Sequence, residues 1–160
     1  MKNNKTFNNY MKIALNMTKR NKKTINDEVP VGCVIVCNKT GEILAKSCNK
    51  TKKTNNPIQH AEIICINKVL KKIKKDRLTN CSMYVTLEPC LMCTGAIILS
   101  KIKKIYIGCL SEKTGYIVSN KECFNDNKNN YNHKPEIFYP IMEKDCKKMI
   151  VDFFKKKRVN

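Results

Sequence analysis

The sequence lacks the features of a secreted or membrane-spanning protein. It has no tryptophan, and no apolar run approaches the roughly 20 residues that a bilayer-spanning helix needs. Residues 1–10 are polar and contain neither the apolar core of a secretory signal nor the arginine-rich pattern of a transit peptide. We therefore expect a cytoplasmic protein with no membrane segment. In that reducing setting, metal binding, catalysis or core packing explains the 10 cysteines better than disulfides do.

Acidic residues are scarce as well, since 13 Asp and Glu oppose 32 Lys and Arg and leave a net charge of +19 at pH 7. A basic excess favours a polyanionic partner, because Lys and Arg displace counterions from phosphates. Nearly all of the excess is lysine, however, and asparagine is also abundant. Drift of neutral surface positions toward Lys and Asn in an AT-rich genome explains that composition equally well, so charge alone leaves an RNA partner open.

Hydrophobic patterns predict one α/β domain over residues 1–160, with helices packed on a mixed sheet. Apolar residues spaced at i, i+3 and i+4 indicate a helix over 8–22. An apolar strand over 31–37 and a returning strand over 42–47 indicate a hairpin that turns at Gly41. The later elements are predicted as a helix at 61–75, a strand at 82–86, a helix at 89–99, a strand at 104–109, a loop or short helical insert at 120–134, a strand at 136–139 and a basic C-terminal helix at about 141–158.

Two short motifs contain the residue types of a metal site. Cys90 and Cys93 lie three positions apart at the start of a predicted helix, which places both sulfurs on one face within reach of one ion. A helix N-terminus also stabilises the thiolate form that binds metal. His60, at the start of another predicted helix, supplies a third ligand. Because no fourth ligand lies at a comparably short spacing, the set favours a catalytic zinc ion with a position for water over a closed structural site.

Glu62 completes the candidate site. It follows His60 by two positions, and residues i and i+2 of a helix face apart, so a role as a further ligand is disfavoured. A carboxylate here can instead take a proton from zinc-activated water and return it to a leaving group. Either motif alone is weak evidence, since a Cys-x-x-Cys pair also occurs as a structural clip. The other histidine, His133, is expected to pack in a loop rather than to bind metal.

Together, the motifs match the His-x-Glu and Pro-Cys-x-x-Cys signature of the zinc nucleobase deaminases. Within that superfamily the chain resembles the bacterial tRNA-specific adenosine deaminases over almost its whole length, from about 8 to 158. The resemblance is most specific over 84–96. It extends to the segments Glu28-Val29-Pro30-Val31-Gly32, Lys113-Thr114-Gly115, Asn132-His133-Lys134 and Asp152-Phe153-Phe154 with the basic residues that follow.

The resemblance implies a cytidine-deaminase-like three-layer fold, with a mixed central sheet of about five strands and helices on both faces. It also implies one Zn²⁺ per subunit, a homodimer, and hydrolytic deamination of adenosine to inosine at the wobble position of an arginine tRNA, with the target base flipped into the zinc pocket. Its residue assignments are zinc binding by His60, Cys90 and Cys93, catalysis by Glu62, substrate binding by Asn49, Ala61, Phe153 and Phe154, and phosphate contacts by Lys155, Lys156, Lys157 and Arg158.

Two positions depart from the family pattern. Ser111 stands where an acidic residue is common, two positions before Lys113, and Ile58-Gln59 replaces a smaller pair before His60. Two other functions stay open on the sequence. A deaminase of a free base or nucleoside, such as guanine or cytidine, would share the zinc site without needing the basic tail. A structural zinc module that binds RNA without catalysis would give Glu62 no role.

Overall fold

A five-stranded sheet lies at the centre of the computed structural model, which describes residues 2–19, 28–120 and 131–159. The strands in chain order are β1 (Gly32–Cys37), β2 (Ile43–Cys48), β3 (Cys81–Leu87), β4 (Lys104–Cys109) and β5 (Glu136–Phe138). Across the sheet their order is β2-β1-β3-β4-β5. Strand β1 pairs antiparallel with β2 and β3, whereas the β3–β4 and β4–β5 pairs are parallel. The predicted mixed sheet is therefore confirmed.

Helices cover both faces of the sheet, because side chains of successive strand residues point to opposite sides. The helices are α1 (Lys2–Lys19), α2 (Ala61–Ile73), α3 (Leu91–Leu99) and α4 (Glu143–Val159). One core contains Cys33, Ile35 and Met83 together with side chains of α2 and α3. The other contains Val34 and Tyr84 together with side chains of α1 and α4. These layers form the expected α/β fold, and within the described ranges no helix combines the length and apolar character needed to span a bilayer.

Helix ends differ from the prediction by a few residues. Helix α1 begins at Lys2 rather than at 8, and Phe7 extends its apolar face by packing against the Tyr106 ring at a centroid distance of 4.6 Å. The predicted end of that helix, 20–22, lies outside the described residues. Helix α2 ends at Ile73 instead of 75, where Lys74 adopts the left-handed conformation with φ 52°. Of the predicted 120–134 insert, the structure describes only 120 and 131–134.

Three strands end at the edge of the sheet where α2 and α3 begin. Cys48 at the end of β2 pairs with Gly32 at the start of β1, and Leu87 at the end of β3 pairs with Cys109 at the end of β4. Because β1 runs antiparallel to β2 and β3, the carboxyl ends of β2, β3 and β4 share one edge. The chain leaves β2 through Asn49. Asn49 and the residues at the starts of α2 and α3, which include His60 and Cys90, therefore lie at this edge.

Candidate zinc centre and active site

His60 and Cys90 occupy the N-cap positions of α2 and α3. Both have extended backbones, with φ −72° and ψ 152° at His60 and φ −74° and ψ 173° at Cys90. Neither side chain makes a cap hydrogen bond to its own helix, so both side chains are available to bind a metal ion. Helix α3 begins at Leu91, which leaves Pro89 just before the helix rather than in its first turn as predicted. Cys93 lies in that first turn and is fully buried.

The three predicted zinc ligands converge. The Nδ1 atom of His60 lies 3.7 Å from Sγ of Cys90 and 3.5 Å from Sγ of Cys93, and the three atoms all lie within 4.8 Å of one another. In a tetrahedral site with Zn–S bonds of about 2.3 Å and Zn–N bonds of about 2.0 Å, nitrogen and sulfur ligands are separated by about 3.5 Å. The observed spacing therefore fits a single zinc ion with three protein ligands.

The proton distribution over these side chains also suits a metal site. A hydrogen bond from Cys93 and one from the His60 ring lower the pKa of Cys90 to about 4, which makes its sulfur a thiolate at neutral pH. The hydrogen bond to Cys90, together with burial, raises the pKa of Cys93 well above its ordinary value. The contact with Cys90 likewise raises the pKa of His60. A metal ion must therefore displace the Cys93 proton when it binds.

Glu62 is buried beside these ligands. It is 3% exposed, and its Oε2 atom has no hydrogen-bond partner among the described residues. Burial raises the pKa of Glu62 to about 7. A hydrogen bond from the backbone of Glu62 itself and the positive charge of His60 oppose this increase. A carboxyl that titrates near neutrality and has an unused buried oxygen is suited to exchange protons with a water molecule next to a metal ion. This orphaned oxygen supports the fit of the site to zinc.

Asn49 is fixed by the first residue of α2. Its Oδ1 atom accepts a 2.8 Å hydrogen bond from the backbone N–H of Ala61, which lies between His60 and Glu62. Asn49 is buried, and among the described residues its Nδ2 atom makes no hydrogen bond. The side chain thus holds a free donor at the edge of the site. The substrate contacts predicted for Asn49 and Ala61 stay predictions, and the N–H of Ala61 is already engaged by Asn49.

The predicted C-terminal site residues lie on α4, which packs on the face of the sheet opposite α2 and α3. Cys146 joins the core there, and Thr18 donates a hydrogen bond to the sulfur of Met149 at 2.9 Å. Farther along the helix, the rings of Phe153 and Phe154 meet edge to face with a centroid distance of 5.2 Å. The basic residues after them are exposed: Lys155, Lys156, Lys157 and Arg158. The RNA contacts expected of these six residues stay predictions.

His133 behaves as a loop-packing residue. Its Nε2 atom lies 2.7 Å from the carbonyl oxygen of Ile102, and its side chain is half-buried. It takes no part in the metal-binding group. The expectation that this histidine is not a ligand is therefore consistent with the geometry.

Two buried glutamates at the same edge of the sheet are functional candidates that the sequence analysis missed. Glu28 accepts hydrogen bonds from Oγ1 of Thr51 and from the backbone N–H groups of Lys52 and Lys53, at 2.6 to 2.9 Å, and so holds the loop that leads to His60. Glu88 binds the loop that follows β4 in the same manner. In the sequence, each glutamate is an acidic residue next to an apolar segment that contains a proline. That pattern does not reveal the distant backbone N–H groups that donate to the carboxylate.

The model of the cytidine and deoxycytidylate deaminase zinc-binding region matches residues 4–109. The chain belongs to this family. The matched range contains His60, Cys90 and Cys93, so the zinc-binding region of the family coincides with the geometric metal site of this deaminase. The predicted zinc cofactor and fold class are thereby confirmed.

Relatives of this deaminase have a more specific name. A protein from Rickettsia bellii called tRNA-specific adenosine deaminase is 42% identical over 132 residues, which cover 82% of this chain and 90% of the relative. One of the same name from Aquifex aeolicus is 37% identical over 151 residues, covering 94% and 95%. A solved structure from a study of A-to-I editing by tRNA:A34 deaminases matches with a TM-score of 0.79 and 31% identity, covering 88% of this chain and 98% of that chain. The predicted resemblance is confirmed.

Proposed function

We propose that this deaminase is a cytoplasmic, zinc-dependent hydrolase that converts adenosine to inosine at the wobble position of a tRNA anticodon. The observation that carries the proposal is the combination of a three-donor metal site with the buried Glu62, whose Oε2 has no partner among the described residues. The relatives named for adenosine deamination in tRNA, and the likeness to a tRNA:A34 deaminase, support the choice of substrate.

The reaction replaces the exocyclic amino group of adenine with oxygen and consumes one water molecule. A C–O bond forms at C6 of the ring, the C6–N bond breaks, and ammonia leaves. His60, Cys90 and Cys93 would hold a zinc ion, which would supply the Lewis acidity that makes water nucleophilic near neutral pH. Glu62 takes a proton from the attacking water and delivers it to the departing nitrogen, and burial, which raises the pKa of its carboxyl, favours the protonated form that makes the second transfer.

Substrate recognition begins with Asn49. Its Oδ1 atom stays bonded to the N–H of Ala61, so its Nδ2 atom points a fixed donor at an acceptor nitrogen of the flipped purine. Outside the pocket, Phe154 is 46% exposed, and stacking of an unpaired base on such a ring contributes roughly 1–3 kcal/mol. The exposed basic end of α4 meets RNA phosphates. We extend the proposal to an arginine tRNA on the strength of the family resemblance.

A homodimer is part of the proposal. Ile58, Leu91 and Leu99 are large apolar side chains with exposures of 52%, 60% and 79%. Leu91 directly follows the ligand Cys90, and Ile58 lies two positions before His60, so an interface that covers both would border the active site. Sedimentation velocity should give twice the mass of the chain, and a single-chain mass at assay concentrations would contradict this assignment.

The function is tested with zinc-loaded protein and an anticodon stem-loop that carries A at the wobble position. Free adenosine, guanine and cytidine are incubated in parallel, and products are read by nuclease digestion and chromatography. Inosine from the stem-loop alone is the expected result, and a stem-loop with G at the wobble position is the matched control. Turnover of the free compounds with the stem-loop untouched would assign the protein to nucleotide salvage. Stable zinc without any turnover would favour a structural module.

A further inference from the structure

Glu88 is a buried carboxylate whose two oxygens are both fully used. It is 3% exposed and lies between the end of β3 and the ligand Cys90. Its Oε1 atom accepts hydrogen bonds from the N–H groups of Ile117, Val118 and Ser119 at 3.2, 2.7 and 2.8 Å. Its Oε2 atom accepts one from the N–H of Ser111 at 3.0 Å and another from the Ser119 hydroxyl. One side chain thus gathers both ends of the segment 111–119, here called the 111–119 loop.

The loop closes tightly around that carboxylate. A Cβ atom at Gly115 would lie 2.1 Å from Oε2 of Glu88 and 2.6 Å from the carbonyl oxygen of Ser111, so only glycine fits at this position. The N–H of Tyr116 donates to the carbonyl oxygen of Pro89 at 3.0 Å. The loop therefore contacts the residue immediately before Cys90 through its backbone.

The outer side of the 111–119 loop borders open space. An open cavity of about 550 Å³ is lined by loop residues that include Lys113, Thr114 and Tyr116. Lys113 and Thr114 are exposed and Tyr116 is half-exposed. The ammonium group of Lys113 and the hydroxyls of Thr114 and Tyr116 suit a phosphate or ribose group of a bound RNA, and the exposed carboxylate of Glu112 on the same wall offsets part of the positive charge. Its distance from the zinc ligands is set by the contacts of Glu88 and Pro89.

We propose that Glu88 is a positioning residue for RNA deamination. It fixes the position of the 111–119 loop relative to the zinc ligands, so that the loop and the ligands together form one rigid wall of the substrate site. This inference rests on the proposed function, because it takes a tRNA as the substrate. The hydrogen bonds of the Glu88 carboxylate go to the 111–119 loop and not to His60, Cys90 or Cys93. Its effect is exerted through the loop, and loss of the effect weakens the fit of RNA rather than the chemical step.

The variant Glu88→Gln tests the proposal because it changes one oxygen. The remaining oxygen of Gln stays with the three amides of Ile117, Val118 and Ser119, and the new NH₂ group then faces the N–H of Ser111, donor against donor. Hydrogen exchange should therefore accelerate at Ser111 and stay slow at 117–119. For the stem-loop, KM should rise by about 10- to 100-fold with kcat changed far less, since the hydrogen bonds that are lost join the loop to charged RNA groups and form on binding rather than in the chemical step. Zinc content should stay at one ion per chain.

Two further variants keep the result interpretable. Gly115→Ala leaves Glu88 intact but forces the loop off the carboxylate, so it should raise KM in the same way. Glu42→Gln is the matched control, because it removes an exposed carboxylate on the hairpin turn that pairs with Lys72 at 2.9 Å, and it should leave KM and exchange unchanged.

The proposal would be overturned if both Glu88→Gln and Gly115→Ala kept the KM and the hydrogen-exchange rates of the wild-type protein. Equal losses of kcat and zinc would also overturn it, because they would place Glu88 in the support of Cys90 instead. If Glu88→Gln does not fold, the decision falls to Gly115→Ala. If the wild-type protein does not deaminate the stem-loop, the proposed function fails, and the exchange pattern at Ser111 still decides whether Glu88 holds the loop.

Discussion

Replacement of Glu62 with Gln probes the proton transfers directly. Glu62 is 3% exposed, so Gln, which is nearly equal in size, preserves packing but cannot carry a proton between water and the amino group. A positioned acid–base group contributes typically about 10²- to 10⁴-fold to a rate. Because the role proposed for Glu62 covers both the attack of water and the departure of ammonia, we expect kcat to fall by at least about 10³-fold, which corresponds to roughly 4 kcal/mol in barrier height.

The assay is single-turnover deamination of the anticodon stem-loop, with zinc content measured by elemental mass spectrometry and RNA affinity by fluorescence anisotropy. Glu62→Gln should keep one zinc ion per chain and wild-type affinity while the rate constant collapses. Glu42→Gln, which changes an exposed carboxylate paired with Lys72, should keep the rate. A rate for Glu62→Gln within about tenfold of wild type would refute the proton-transfer role. Loss of zinc would show that Glu62 supports the metal site instead.

Three other properties can be tested by stability and binding measurements. Gly32→Ala should lower the melting temperature, because a Cβ there would lie 1.9 Å from the carbonyl oxygen of Ala14; an unchanged value would contradict this packing. Zinc uptake at neutral pH should release at least one proton, since the contact with Cys90 and burial keep Cys93 protonated. Calorimetry in buffers of different ionisation enthalpy counts that proton, and no release would mean that Cys93 is already ionised. Burial works against ionisation of Glu88, but hydrogen bonds from Ser119 and the amide of Ser111 outweigh it and lower its pKa. Its stabilising contribution should therefore be complete above the ordinary value of 4.5 and disappear as the pH falls through the lowered pKa, so the unfolding free energies of wild type and Glu88→Gln should converge in acid; a constant gap would argue against it.

The convergence of His60, Cys90, Cys93 and Glu62 could be predicted because the four residues are confined to two short motifs. Cys90 and Cys93 share one helical turn, and His60 and Glu62 flank the start of another, so spacing along the chain fixes most of their geometry. The order of helices and strands was predictable for a related reason. The short continuous apolar run of β1 and the helical periodicity of α2 are local patterns that survive in the folded protein.

The features that could not be predicted depend on contacts between distant segments. The pairing of β3 with β4 places Glu88 next to its partners in the 111–119 loop, which lie more than 20 positions along the chain. The early start of α1 is accompanied by packing of Phe7 against Tyr106, which lies on β4, far along the chain from α1. The hydrogen bond from Ala61 to Asn49 spans a polar loop whose path no periodicity specifies. In each case, the sequence shows the residue but not its partner.

The most direct test of the central claim is to map inosine along an intact tRNA whose anticodon begins with A. Zinc-loaded protein is incubated with the full-length transcript, and the product is sequenced after reverse transcription, which reads inosine as G. The account predicts an A-to-G change at position 34 alone, the position named for the related solved deaminase, and no change with Glu62→Gln. Inosine at other adenosines, or none at position 34 with zinc fully bound, would contradict it.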